Sequence, residues 1–216
     1  MIKGLIFDFD GLILDTETAW YESYYEVLRS KYNYELKLED FVKCVGADNS
    51  VLFKILKEDL GRDLDENGLF KEVQKKHQTI IQDKELREGV IGYLKEAKLL
   101  GLKTAVCTSS KNEWISKHLS DRKILNYFDY FITADDVERI KPHPDLFEKT
   151  IEDLEISKDD VLVFEDSLNG LLSANKAGLK TIIFYNPVTE HLDFSEAHQI
   201  YSNMSEIALG DLLKQF

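Results

Sequence analysis

Five short apolar runs, separated by segments with helical spacing, restrict this chain more than any other feature. They are Leu5-Ile6-Phe7, Lys103-Thr104-Ala105-Val106-Cys107, Tyr130-Phe131-Ile132, Val161-Leu162-Val163-Phe164 and Thr181-Ile182-Ile183-Phe184-Tyr185. The runs are near-continuous rather than alternating, as strands buried on both faces must be. Between them, Val90, Leu94 and Ala97 share one helical face that stops before Gly101. Leu146, Thr150 and Leu154 form a second such face, and Leu171, Ala174 and Ala177 a third, ending at Gly178. A glycine just past a periodic segment is a helix C-terminal signal. Strand alternating with helix means βαβ units, so the expected fold class is α/β, with a doubly wound parallel-sheet (Rossmann-like) core.

Residues 16–87 break this rhythm. They hold only helical patterns: Trp20, Tyr24 and Val27; Leu52, Ile55 and Leu56 before Gly61; Leu69, Val73, His77 and Ile80. Some 70 residues is far too long for one crossover. The expected organisation is a catalytic core of residues 1–15 and 88–216, with 16–87 inserted as an α-helical cap domain. Linkers near Asp15–Glu17 and Asp83–Glu88 would join the two.

The formal net charge of −13 disfavours a nucleic-acid partner, which needs clustered Lys and Arg. It leaves room for a small phosphate ligand, because a local set of donors can outweigh a distant field. No apolar run reaches the length of a membrane span, and no signal peptide is evident at the N-terminus. Cys44 and Cys107 stand far apart, outside any CxxC spacing, which fits a reducing, cytoplasmic setting. The five histidines make no zinc-binding pattern.

Four clusters carry chemistry, each at the end of an apolar run. The first is Asp8-Phe9-Asp10-Gly11-Leu12-Ile13-Leu14-Asp15. In an open α/β sheet ligands bind at strand C-termini. Asp8 could there attack phosphorus, and Asp10 could protonate the leaving oxygen and later deprotonate water. Acids after a strand also simply make turns, but the Asp-x-Asp-Gly-x-x-x-Asp string is too specific for that alone. The second, Thr108-Ser109-Ser110-Lys111-Asn112, has hydroxyls and backbone N–H groups suited to phosphate oxygens, or equally to capping a helix. The third, Lys141-Pro142-His143-Pro144-Asp145, would hold a fixed positive charge over the phosphate. In the fourth, Phe164-Glu165-Asp166-Ser167-Leu168-Asn169-Gly170, adjacent acids call for a cation among them, and hard oxygen donors favour Mg²⁺.

Taken in this order, DFDGLILD, VCTSS, KPHPDLF and FEDSLNGLLSANKAG resemble the motifs of the haloacid dehalogenase superfamily, in its group with a small helical cap. The group includes β-phosphoglucomutases and phosphoglycolate phosphatases. The resemblance implies that Asp8 is nucleophile and metal ligand, and that Asp10 is general acid/base and lends its backbone carbonyl to the metal. It assigns Thr108, Ser109 and Lys141 to phosphate binding, and Asp166 to Mg²⁺ with Glu165 as helper. Ser110, Lys111 and Asn112 resemble the segment with which mutases hold a second phosphate. Yet the cap loop Gly46-Ala47-Asp48-Asn49-Ser50 lacks the mutases' arginine, and Trp20 or a neighbour replaces a histidine. Asp48 and Asn49 are the candidate cap specificity residues.

The expected function is therefore a Mg²⁺-dependent phosphatase, a phosphoric monoester hydrolase working through an aspartyl phosphate. Its partner would be a small phosphorylated metabolite, a sugar or polyol phosphate, acted on by a monomer. The alternatives are a hexose-phosphate mutase and, in a different class, a non-catalytic phospho-ligand-binding regulator.

Overall fold

The computed structural model describes residues 1–43, 50–61 and 63–216. All five apolar runs form strands: β1 (Gly4–Phe7), β2 (Lys103–Cys107), β3 (Tyr130–Ile132), β4 (Val161–Glu165) and β5 (Lys180–Phe184). A short sixth strand, β6 (Gln199–Tyr201), was not anticipated. Its three residues are only partly buried or exposed, so they carry no apolar signature. All strand pairs are parallel, in the order β3-β2-β1-β4-β5-β6. The order reverses between β1 and β4, which opens a crevice beyond their C-terminal ends.

Helices cover both faces of the sheet. On one face α5 (Val90–Leu99), α6 (Asn112–Asp121) and α9 (Leu209–Leu213) pack over an aromatic floor. In that floor Phe7, Phe164 and Phe184 meet edge to face, with centroids 4.9 and 5.7 Å apart. On the other, α7 (Asp145–Leu154) and α8 (Leu168–Ala177) bury Leu146, Phe147, Leu154, Ala174 and Ala177 against Ile6, Ala105 and Val163. Ser167 caps α8 by accepting from the Gly170 N–H at 3.0 Å, and Gly178 ends it in the left-handed region.

Between β1 and α5 the chain makes α1 (Thr16–Tyr32), α2 (Leu38–Val42), α3 (Ser50–Leu60) and α4 (Glu66–Asp83). Asp15 caps α1 at the Thr18 N–H, and Asp65 caps α4 at the Gly68 N–H. This helical cap has its own apolar cluster of Tyr24, Leu28, Phe41, Leu52, Phe53, Leu56, Leu69 and Val73, joined by Val188 from the loop after β5. In α3 it is Phe53 that is buried beside Leu52 and Leu56, while Ile55 is only half-buried. In α4 the buried stripe is Leu69, Val73, His77 and Ile81, a strict four-residue step.

The two connections between cap and core run side by side. Leu14 and Leu86 form an antiparallel bridge, and the Arg87 N–H donates to the Ile13 carbonyl. The Arg87 guanidinium donates to four carbonyl oxygens, of Gly11, Phe184, Tyr185 and Ser202, at 2.5–2.9 Å. Arg122 on the turn after α6 donates to the carbonyls of Ile81 and Lys84, tying the end of α4 to the core.

Candidate active site

Strand register brings the acidic motifs together. Phe7 stands opposite Phe164, and the Asp8 N–H donates to the Phe164 carbonyl at 3.0 Å, so Asp8 emerges beside Glu165 and Asp166. Phe7 also stands opposite Val106, which brings Cys107 and Thr108 alongside from the other neighbour. Above these ends lies a cavity of about 740 Å³, closed from the cap side by Glu17 and Trp20 of α1 and Gln74, His77 and Gln78 of α4.

Lys141 is buried at its floor. Its Nζ donates to Asp8 Oδ1 at 2.6 Å, to Glu165 Oε1 at 2.7 Å and to the Cys107 carbonyl at 2.7 Å, so all three protons are used. Burial alone would depress the ammonium, but Asp8 and Glu165 outweigh it and raise its pKa, so Lys141 stays charged. Glu165 is spent on positioning. Its Oε2 accepts from the N–H groups of Asp166 and Ser167 and from the Ser167 hydroxyl. Gly170 is required beneath it, since a Cβ there would lie 1.9 Å from the Glu165 carboxyl.

Asp8, Glu165 and Asp166 each offer a carboxylate oxygen within 4.8 Å of the others. Burial, then mutual repulsion, pushes the pKa of Asp166 well above the usual carboxylate range. Asp8 is raised likewise, by burial first, against the pull of Lys141. Asp166 Oδ2 accepts from Asn186 Nδ2 at 2.7 Å, whereas its Oδ1 is buried with no hydrogen-bond partner. A buried, unpartnered carboxylate oxygen among acids is what a divalent cation would satisfy, and the all-oxygen donor set fits Mg²⁺. Gly11, at φ +80°, lets the chain pass: a Cβ would meet Asp166 Oδ2 at 2.0 Å.

Asp10 is held differently. Its Oδ2 accepts from the Ser110 hydroxyl at 2.6 Å and its Oδ1 from Trp114 Nε1 at 3.0 Å. An indole N–H can only donate, whereas a hydroxyl can turn to accept. A proton on Asp10 therefore belongs on Oδ2, and Oδ1 remains the acceptor. Burial raises the Asp10 pKa, and the Ser110 and Trp114 bonds pull it back in part.

Of the residues singled out from sequence, Asp8, Asp10, Thr108, Ser109, Ser110, Lys141 and Asp166 line the cavity, with Glu165 directly behind Lys141. Thr108 is buried, and its hydroxyl accepts from the Ser110 N–H. Lys111 and Asn112 are exposed at the start of α6, and Asn112 is occupied with Asp135 and Ser116. Asp48 and Asn49 lie outside the described residues. Sequence reading missed Glu17, Gln74, Gln78, Trp114, Asn186 and Thr189. Only Asn186 carried a legible signal, since it follows β5 as the motif acids follow β1 and β4.

Residues 5–184 match the family described as haloacid dehalogenase-like hydrolase. The chain is 39% identical over 214 residues to the "Putative phosphatase YhcW" of Bacillus subtilis (strain 168), covering 99% of this chain and 97% of that one. The crystal structure described as a "putative beta-phosphoglucomutase" from Thermotoga maritima is 25% identical, with a TM-score of 0.80 over 99% of each chain. A haloacid dehalogenase-like protein of unknown function from Agrobacterium tumefaciens str. C58, ATU0790, shares the fold, with a TM-score of 0.84 at 22% identity over 100% of this chain and 99% of that one. The chain thus belongs to the haloacid dehalogenase-like hydrolases, and it is a phosphate-hydrolysing enzyme. Among the described residues no helix is long and apolar enough to cross a membrane.

Proposed function

We propose that this protein is a Mg²⁺-dependent phosphatase that hydrolyses a sugar or polyol monophosphate through an aspartyl phosphate on Asp8. The supporting observation is the buried Asp8–Lys141–Glu165 triad beside an Asp10 held by two donors, at the floor of one cavity. Asp8, Asp166 and the Asp10 backbone carbonyl would hold Mg²⁺, which would neutralise charge on the phosphoryl oxygens. Glu165 acts by orienting Lys141.

In the first half-reaction an Asp8 carboxylate oxygen attacks phosphorus in line with the ester bond. That bond breaks, and Asp10 gives its proton to the departing alkoxide. In the second, Asp10 takes a proton from water as the water oxygen attacks phosphorus. The bond to Asp8 then breaks, releasing inorganic phosphate and restoring both carboxyls. Lys141 and Thr108 stabilise the equatorial oxygens throughout. The raised pKa of Asp10 favours the protonated form that the first step needs.

The cap, residues 16–87 in this reading, would exclude water between steps and supply the contacts that select the alcohol. A mutase would need donors for a second phosphate, and the exposed placement of Lys111 and Asn112 gives it no support. A non-catalytic binder would have no use for a complete catalytic set. The test is phosphate release from a panel of monophosphates: activity should require Mg²⁺, vanish in EDTA and be absent from Asp8→Asn. Activity that survives either change refutes the reading.

A further inference from the structure

The cavity has a second end, against the cap, whose chemistry is unlike the floor. Its cap wall is built from Trp20 and His77, stacked 3.9 Å apart and 10° from parallel, with Glu17, Gln74 and Gln78 around them. The core side adds Trp114, Ile140, Asn169 and Thr189. Trp20 is braced from behind by Phe70, nearly parallel at 6.1 Å, so this platform is rigid.

Charge divides the two ends. Among the described residues lining the cavity, Lys141 is the one Lys or Arg, and its three protons are already committed at the floor. His77 offers no charge either, because burial lowers its pKa to about 4. Its Nε2 is buried with no hydrogen-bond partner. Against this stands the Glu17 carboxyl. Ionised it repels an anion, and protonated it donates a hydrogen bond but supplies no positive charge.

We infer that the cap end of the cavity is a subsite for an uncharged, hydroxyl-bearing leaving group, and that it rejects substrates carrying a second anionic group. The inference rests on the reading that the Asp8–Lys141 floor takes the phosphoryl group. Hydroxyls would be met by Glu17 and the amides of Gln74 and Gln78, with the carbon skeleton against the aromatic wall that Trp20, His77 and Trp114 form. A second phosphate or a carboxylate would meet an acid and no counter-charge, a penalty on the order of a tenfold or greater loss of affinity at the dielectric of such a site.

The test is calorimetric binding to Asp8→Asn with Mg²⁺, using pairs matched except for charge. Glucitol 6-phosphate is compared with 6-phosphogluconate, both open chains, and fructose 6-phosphate with fructose 1,6-bisphosphate. The neutral-ended member should bind at least about tenfold tighter in each pair. Gln78→Lys, which adds the missing cation, should narrow the gap several-fold. Equal affinities, a preference for the doubly anionic member, or no binding of any of the four overturns the inference. Release of inorganic phosphate from the two neutral-ended esters by the wild type is read separately. Its absence with the neutral preference intact would refute the phosphatase reading alone, and its presence with a bisphosphate preference would refute the subsite alone.

Discussion

Trp114→Phe isolates a single hydrogen bond at the centre of the proposed chemistry. Phenylalanine keeps most of the aromatic packing against His118, whose ring lies 4.1 Å away, but removes the N–H that donates to Asp10 Oδ1 at 3.0 Å. A hydrogen bond to an ionised group contributes about 1.5–3 kcal/mol. If that orientation is lost from the transition state, kcat/KM falls roughly 10- to 150-fold. The loss should depend on the leaving group. An alkyl phosphate such as glycerol 3-phosphate needs the proton from Asp10 and should show the full effect. The stable anion of p-nitrophenol needs none and should change by less than about threefold. Since the indole bond also lowers the Asp10 pKa, its removal should move the basic limb of kcat/KM for the alkyl ester to higher pH. Steady-state kinetics on the two esters decide the matter. Equal losses on both, with an unmoved profile, would show Trp114 to be packing alone.

Arg87→Met removes the donor that four carbonyl oxygens share, leaving that of Gly11 only a long bond from Asn186 at 3.5 Å, so it should destabilise by about 3–5 kcal/mol and lower Tm by roughly 6–20 °C; a melt within a degree or two of wild type would refute the anchor role. Gly11→Ala places a methyl at 2.0 Å from Asp166 Oδ2 in a left-handed backbone, and should cost at least about tenfold in activity with weaker Mg²⁺ binding by calorimetry. Asp8 and Asp166 have folded-state pKa values above the unfolded 3.8, so the metal-free protein binds more protons than the unfolded chain. Their contribution is thus fullest at acid pH and lost as pH rises through the folded values. Mg²⁺ at one fixed concentration should therefore raise Tm more at pH 8 than at pH 5, with a gain of about 5–10 °C at pH 8 where that concentration is 100 times Kd, and a larger gain at pH 5 would contradict the metal site.

That Asp8, Thr108 and Asp166 share the floor of one cavity was readable from sequence because they sit where strands end. Each follows a continuous apolar run, and parallel register does the rest. Lys141 was readable only through its proline frame, and what it touches is a tertiary fact. Trp114 and Arg87 carried no signal: one sits in the first turn of α6 among ordinary residues and the other looks like a solvated hinge cation. Their partners, Asp10 and the carbonyls of Gly11, Phe184, Tyr185 and Ser202, lie 76 to 115 positions away. His77 was read as part of an apolar stripe, which it is, but the stripe also forms the cavity wall. β6 escaped because three half-exposed residues show no periodicity, and only pairing to β5 makes them a strand.

The covalent step on Asp8 is the centre of the account, and trapping it is the most direct test. Enzyme turning over a hydrolysed monophosphate with Mg²⁺ is quenched, treated with hydroxylamine and digested, and the peptide carrying Asp8 is examined by mass spectrometry. The account requires an aspartyl hydroxamate at Asp8, absent without substrate and absent from Asp8→Asn, which should also release no phosphate. Phosphate release by Asp8→Asn, or a hydroxamate on a different carboxyl, would contradict it.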